Sequence, residues 1–270
     1  MVFFEVLERS FKIIIKNLKI LLPATLKWFV CSLFIFNILF FWKFFDNRIG
    51  IIEGFRDFLS SGDNRILTSI LDLKYFLKNY SLGVFLFFFS FITILFVYVG
   101  LELFLDLFYT SSVKEYYFGK KVNFNKSLEL SWKYFWRYIY TWFFALATMF
   151  FSILIAIFLA FLPIISIIVF FTSIFLIIFF LLTLWVLPSV IIFEKKRGLE
   201  ALKYTFNFAK ENFFSLLALL FIIALLQYLV LSSLLYSFLG FVFYLLFSLF
   251  FDCWKKSIQA AFYIEKRKFF

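Results

Sequence analysis

The ionisable residues that interrupt the apolar stretches are the first candidates for chemistry in this 270-residue chain. Lys27 lies in an otherwise uncharged run, about 10 Å beyond the start of that run if the run is helical. Glu102 and Asp106 are four residues apart, so one helix face could present both carboxylates to a cation or a shared proton. Asp252 follows another apolar run. Because charges at membrane depth are costly to desolvate, we predict that these four residues meet in a polar cluster.

Simpler interpretations of the same residues stay open. A lysine about 10 Å from the start of a span can snorkel, extending its ammonium group to the head groups without an acidic partner. Glu102, Asp106 and Asp252 can equally be solvated residues at the ends of their helices.

The residue types exclude several classes of enzyme. The chain has no histidine, so His-based catalytic triads and H-E-x-x-H zinc proteases are not available. Its 8 glycines form neither a G-x-x-x-x-G-K-[ST] phosphate loop nor a G-x-G-x-x-G motif. Cys31 and Cys253 lie in or beside apolar runs, where a thiol is most simply a small packing residue. We therefore predict a protein that is not an enzyme, with no catalytic residue, no metal site and no cofactor.

The elements that must position these residues are transmembrane helices. With 65% hydrophobic residues and 50 phenylalanines, the chain has more apolar surface than one soluble core could bury. Charges are clustered, which leaves four nearly uncharged runs: 20–42, 79–101, 138–193 and 212–251. A crossing takes about 20 residues, so the first two runs are single spans and the last two are double. We predict an all-α fold with six transmembrane helices, with turns near Leu162-Pro163 and Ser237-Gly240.

Lysine and arginine are concentrated in segments that all lie on one side of the membrane if there are six spans. These segments are the N-terminal stretch, the link between the second and third spans, residues 194–211 and the C-terminal tail. Because cationic segments tend to stay cytoplasmic, we predict a multi-pass protein of the cell membrane with both termini cytoplasmic. Residues 43–81 would form an external loop, whose cations are nearly offset by acids.

The net charge of +11 bears on partners. Cations on the inner membrane face are attracted to anionic lipid head groups, which are the expected partners. Nucleic-acid binding is not expected, because no nucleic-acid-binding motif accompanies the charge. A membrane protein is the other class of partner that such a surface fits.

A patterned segment precedes each pair of spans, at 3–18, 124–136 and 199–211. An apolar helical stripe recurs at Leu7, Phe11, Ile14 and Leu18, at Leu128, Trp132, Phe135 and Ile139, and at Leu202, Phe206, Ala209 and Phe213. A hydroxyl directly precedes an aromatic residue in every copy, and cations flank the stripe: Ser10-Phe11, Ser131-Trp132 and Thr205-Phe206, with Lys12, Lys133 and Lys210. The chain is thus predicted to be a single membrane domain, 1–270, of three hairpin repeats, approximately 3–108, 124–193 and 199–264.

Two arrangements fit these segments. Each could be a separate amphipathic helix lying in the plane of the cytoplasmic interface, so that the three form a cuff around the bundle. Alternatively, each could be a cytoplasmic extension of the span that follows it. We favour the cuff, because the hydroxyl, the aromatic and the polar flank repeat in register.

Four stretches carry a resemblance to a known family: FFEVLERSFKIIIKNLKILLPATL, SLELSWKYFWRYIYTWFFAL, LPSVIIFEKKRGLEALKYTFNFAKENFFSLLALL and QAAFYIEKRK. They resemble the membrane domain at the N-terminus of some glycerophosphodiester phosphodiesterases and its stand-alone, prokaryotic YciC-like relatives. The resemblance implies six spans with in-plane helices and no catalysis in this domain. The soluble phosphodiesterase barrel has no counterpart here, so its hydrolase activity is not implied.

Three classes of function remain. The expected one is a non-catalytic membrane module that organises lipid or a protein partner. A small-solute transporter or permease is the main alternative, because many carriers contain internal repeats, although three like-oriented hairpins are not the inverted halves common in carriers. An intramembrane enzyme acting on lipids is the third.

Overall fold

The structure is a computed structural model that describes residues 2–49, 81–160, 166–234 and 238–267. Over those ranges the chain is helical and contains no strand, which confirms the all-α class. The α-helices, in chain order, are α1 Val2–Lys16, α2 Leu22–Ile49, α3 Ser81–Tyr117, α4 Phe124–Ala160, α5 Ser166–Phe193, α6 Gly198–Glu211, α7 Phe213–Leu234 and α8 Phe238–Arg267. A short 3-10 helix, Leu18–Leu21, stands between α1 and α2.

Several of these helices are long and apolar enough to cross a membrane. Four qualify on their own, over Leu18–Phe40, Phe85–Tyr117, Phe124–Ile155 and Phe171–Phe193. A fifth is obtained if Gly198–Glu211 and Phe213–Leu229, which meet at a bend of 82°, are counted as one broken span. The chain is therefore a helical, membrane-embedded protein. The predicted turn at 162–163, residue 237 of the second turn and residues 50–80 of the predicted external loop lie outside the described residues.

The patterned segments end differently in the three copies. The first is the separate helix α1, and the third is α6, which bends by 82° into the helix that follows. Seven residues after the hydroxyl these two copies have an asparagine, and the amides of Asn17 and Asn212 donate to the carbonyls of Ile13 and Phe208, both at 3.0 Å. Asparagine competes for backbone hydrogen bonds in this way and favours a helix end.

The second copy has Tyr138 at the equivalent position, and no helix end forms there. Residues 124–136 are the first turns of α4, which continues without a break to Ala160. A separate in-plane helix was predicted here, and the second copy instead has the alternative arrangement, an extension of its span. The physical reason is that tyrosine lacks the amide that Asn17 and Asn212 use to close the last turn.

The contacts divide the chain into two compact units, Leu26–Glu102 and the remainder, Met1–Thr25 with Leu103–Phe270. In the larger unit, α8 packs against α1, α5 and α7, while α6 packs against α4 and α5. Residues 256–264 of α8 are buried all round, which is typical of a central helix. The largest fully buried side chains of this unit include Tyr109, Tyr138, Tyr263, Phe108, Phe208 and Phe262.

The smaller unit pairs the part of α2 after residue 25 with the part of α3 before residue 103. The amide of Asn37 donates to the hydroxyl of Ser90 at 2.9 Å, and the rings of Phe34 and Phe91 lie 4.8 Å apart between centroids. Much of its remaining apolar surface is exposed, as expected of helices that face lipid tails.

Candidate functional site

A carboxylate joins three helices of the larger unit. Lys256 on α8 forms an ion pair with Oδ1 of Asp106 on α3, and the hydroxyl of Tyr138 on α4 donates to Oδ2 of Asp106 at 3.1 Å. The side chains of Lys256 and Asp106 are only 9% and 19% exposed. A charge-assisted pair at this depth is screened little by water, so it holds α3, α4 and α8 in one arrangement.

A second ion pair lies in the smaller unit. Nζ of Lys27 is 2.8 Å from Oε2 of Glu102, and the ammonium lies 5.7 Å from the centroid of the Tyr98 ring. The Lys27 side chain is largely buried, whereas a snorkelling lysine would place its ammonium in water. In this structure Lys27 is paired.

The four residues of the predicted polar cluster therefore fall in two units. Lys27 and Glu102 are together in the smaller unit. Asp106 belongs to the larger unit, where it is held by Lys256 and Tyr138, and Asp252 is a partly exposed residue of α8 in that same unit. Among the described residues, an ion pair that involves a predicted acid is thus present in each unit.

Lys256 and Tyr138 are site residues that were not predicted from the sequence. In sequence, Lys256 is one of the cations of the predicted C-terminal tail, yet it lies in the continuous helix α8, where Lys255 is exposed and Lys256 is buried. The signal was present in the next residues, 257–264, which apart from Gln259 are small or apolar and so continue a buried helix past the two lysines. The sequence gives one indication that Tyr138 is unusual: it stands where the other two copies have Asn17 and Asn212.

Two further buried polar side chains, Glu115 on α3 and Tyr263 on α8, bond to residues just outside α4 and α5. Glu115, almost fully buried at the end of α3, accepts a bond from the backbone N–H of Asn123 at 2.8 Å, and Nζ of Lys126 lies 3.7 Å from its other oxygen. The hydroxyl of Tyr263 donates to Glu194 at 2.9 Å. Burial, followed by the Glu194 charge, raises the pKa of Tyr263 above its ordinary value, so that hydroxyl stays a donor.

The hydroxyl residues of the three repeats face the protein. Ser10, Ser131 and Thr205 are each fully buried. Each donates to a carbonyl of its own helix, at 2.9, 2.6 and 2.7 Å respectively. The indole of Trp254 on α8 also donates to the Ser10 hydroxyl at 3.0 Å. Small residues let helices approach closely, and a hydroxyl bonded to its own helix adds no unsatisfied polar atom.

The aromatic residues that follow the hydroxyls are partly exposed, although Phe11 and Phe206 also pack edge-on against Phe250 and Phe179. Phe11, Trp132 and Phe206 are 41%, 64% and 44% exposed. Their cationic neighbours Lys12, Lys133 and Lys210 are exposed as well. The repeats therefore have a protein-facing line of hydroxyls, an exposed aromatic line and a cationic flank, which is the distribution expected at a membrane interface.

Two clefts in the larger unit are lined by cations. One, of about 550 Å³, lies between Arg137 of α4 and Arg197 at the start of α6. The backbone N–H of Gly198 donates to the Thr141 hydroxyl at 3.1 Å there, and the φ of Gly198, 55°, is in the left-handed region that favours glycine. The other cleft, of about 850 Å³, is bounded by residues 15–22 and 121–125 and is called the lysine cleft below.

Comparison with protein-family models, with curated proteins and with solved structures found no match. The resemblance to the membrane domain of glycerophosphodiester phosphodiesterases stays a prediction. Among the described residues, no group of three Cys, Asp or Glu side chains is placed to hold a metal ion.

Proposed function

We propose that this protein is a non-catalytic membrane module that organises anionic lipid around its helices. The observation that carries the proposal is the division of each patterned helix into a buried hydroxyl line and an exposed aromatic and cationic surface. The protein uses the hydroxyl line for its own packing, so the exposed lysines of α4 and α6 are available to head groups, whereas Lys12 on α1 is paired with Glu8. Each lysine near such a surface contributes about 1 kcal/mol of attraction to anionic lipid.

A lipid-enrichment measurement tests this proposal. In nanodiscs of mixed phosphatidylcholine and phosphatidylglycerol, the purified full-length chain should retain phosphatidylglycerol at about twice its bulk fraction or more. Replacing the exposed lysines of α4 and α6, Lys133, Lys203 and Lys210, with glutamine should lower that enrichment. Retention of the two lipids in their bulk ratio by the unmodified protein would contradict the proposal.

We also propose six spans with both termini cytoplasmic, in the cell membrane. The support is the cation asymmetry of the sequence together with the four to five candidate spans. Cysteines can be introduced singly at Asp57, which lies outside the described residues, and at the exposed Lys203, after Cys31 and Cys253 are changed to serine. A membrane-impermeant maleimide added to intact cells should label the first and not the second. The reverse pattern would overturn this topology.

A transporter is the second candidate, and the buried junction of Asp106, Lys256 and Tyr138 is the observation that favours it. Carriers place such groups along ion or proton pathways. The cavity between α4 and α5 beside Ser152 and Ser173, however, is about 10 Å³, which is barely the room that one water molecule needs. A transporter would show ion- or proton-linked uptake in proteoliposomes that Glu102→Gln or Asp106→Asn abolishes.

A further inference from the structure

We propose that the lysine cleft binds the head group of one phospholipid that carries more than one phosphate, as cardiolipin does. This inference rests on the proposed function, because it assigns one specific lipid site to a module that attracts anionic lipid in general. The cleft lies where the first two repeats meet: one wall is the end of α1 with the 3-10 helix, and the other is residues 121–125, which are the end of the link from α3 and the first two residues of α4.

The charge of the cleft selects an anion with more than one negative group. Lys16, Lys19 and Lys121 line it, and all three are exposed. None of its lining residues is acidic, and none of the three lysines is paired with a carboxylate within the part of the chain that the structure describes. A single phosphodiester would neutralise only one of three adjacent positive charges. A head group with two phosphates matches them better.

The edge of the cleft favours a lipid over a soluble anion. Leu18 and Leu22 line it and are 64% and 58% exposed, and Ile15 beside them is also exposed. Leu18 is the first residue of the candidate span Leu18–Phe40, so these apolar side chains lie where a membrane crossing begins. Acyl chains attached to the bound phosphates would cover them, and each buried methylene would add to the affinity.

Hydrogen bonds fix both walls of the cleft before any ligand arrives. The carbonyl of Ile20 accepts a bond from the buried hydroxyl of Tyr109 at 3.0 Å, which holds the 3-10 helix. On the opposite wall, the backbone N–H of Asn123 donates to the carboxylate of Glu115 at 2.8 Å. The side-chain oxygen of Asn123 accepts a bond from the backbone N–H of Lys126 at 3.3 Å. Walls that are already ordered lose little conformational entropy when they bind.

Native mass spectrometry of the purified full-length chain titrated with cardiolipin tests the assignment. We expect one tightly bound cardiolipin per chain. The triple variant Lys16→Gln, Lys19→Gln, Lys121→Gln should raise its Kd by about tenfold or more, because each lysine contributes to attraction. The matched control, Lys133→Gln with Lys203→Gln and Lys210→Gln, removes the same charge from exposed positions elsewhere and should change the Kd by less than about threefold.

The outcomes separate this inference from the proposed function. Equal losses in the two triple variants would overturn the cleft assignment, while enrichment of phosphatidylglycerol in nanodiscs would leave the proposed function standing. If phosphatidylglycerol is not enriched in nanodiscs but one cardiolipin still binds through the cleft, the proposed general function is wrong and the cleft assignment stands. Displacement of cardiolipin by inorganic pyrophosphate at a similar concentration would show that the acyl chains add nothing, and would overturn the lipid assignment.

Discussion

Replacing Lys256 with methionine should lower the free energy of unfolding by about 3 kcal/mol, because the change leaves the Asp106 carboxylate buried without its cation. Methionine keeps the unbranched apolar stem, so packing against α3 is largely retained. Asp106 would still accept the bond from Tyr138, and its partial exposure places the expected loss at the lower end for a broken buried pair. Reversible unfolding in mixed detergent micelles, followed by tryptophan fluorescence, measures the difference.

Lys255→Met is the matched control, since it removes the same charge from an exposed neighbour in the same helix. We expect a change within about 0.5 kcal/mol for this variant. Combining Asp106→Asn with Lys256→Met removes the uncompensated charge and should recover most of the lost stability. If Lys256→Met and Lys255→Met have equal effects, the ion pair does not hold α3 and α8 together.

Changing Lys27 to glutamate should cost about 2 to 3 kcal/mol, because two carboxylates would then occupy the place of an ion pair. The pair is close, at 2.8 Å, and the lysine is largely buried. The charge swap that adds Glu102→Lys restores opposite charges and should recover more than half of the loss. A double-mutant cycle on the four proteins gives the coupling energy between the two side chains.

An exposed lysine of the same helix provides the comparison for this variant. Lys43→Glu makes the same charge reversal on α2 at a position with an exposed side chain, so we expect little change in stability. If the swap is no more stable than Lys27→Glu alone, Lys27 acts by some means other than its pairing with Glu102.

The membrane crossings were the part of the fold most accessible from sequence. A crossing must be about 20 apolar residues long whatever the tertiary structure, so run lengths alone predict it. The predicted runs 20–42 and 79–101 overlap the candidate spans Leu18–Phe40 and Phe85–Tyr117. The division of 138–193 into two spans likewise corresponds to Phe124–Ile155 and Phe171–Phe193.

Which apolar face meets protein could not be predicted in the same way. Lipid tails and protein interiors are equally apolar, so a helical stripe of Phe and Leu does not tell the two apart. The distinguishing feature was the adjacent hydroxyl, Ser10, Ser131 or Thr205, which is small enough for close packing. The pairing of Asp106 with Lys256 was inaccessible for a related reason, since the two residues are far apart in sequence and only the packing of α3 on α8 brings them together.

Because α4 is one unbroken helix, the patterned segment of the second repeat moves together with its span. The 37 residues of α4 extend about 55 Å, well beyond a hydrocarbon core of roughly 30 Å, and tilting is one way in which such a helix accommodates a thinner bilayer. In the first and third repeats the helix ends at Asn17 and at Asn212. A change in the tilt of α2 or α7 can be taken up at these helix ends and need not move α1 or α6. The second repeat has Tyr138 and no helix end at the equivalent position, so a change in the tilt of α4 also moves its first turns. Residues 124–125 of those turns line the lysine cleft and Arg137 lines the arginine-lined cleft, so a change in the tilt of α4 would displace one side of each.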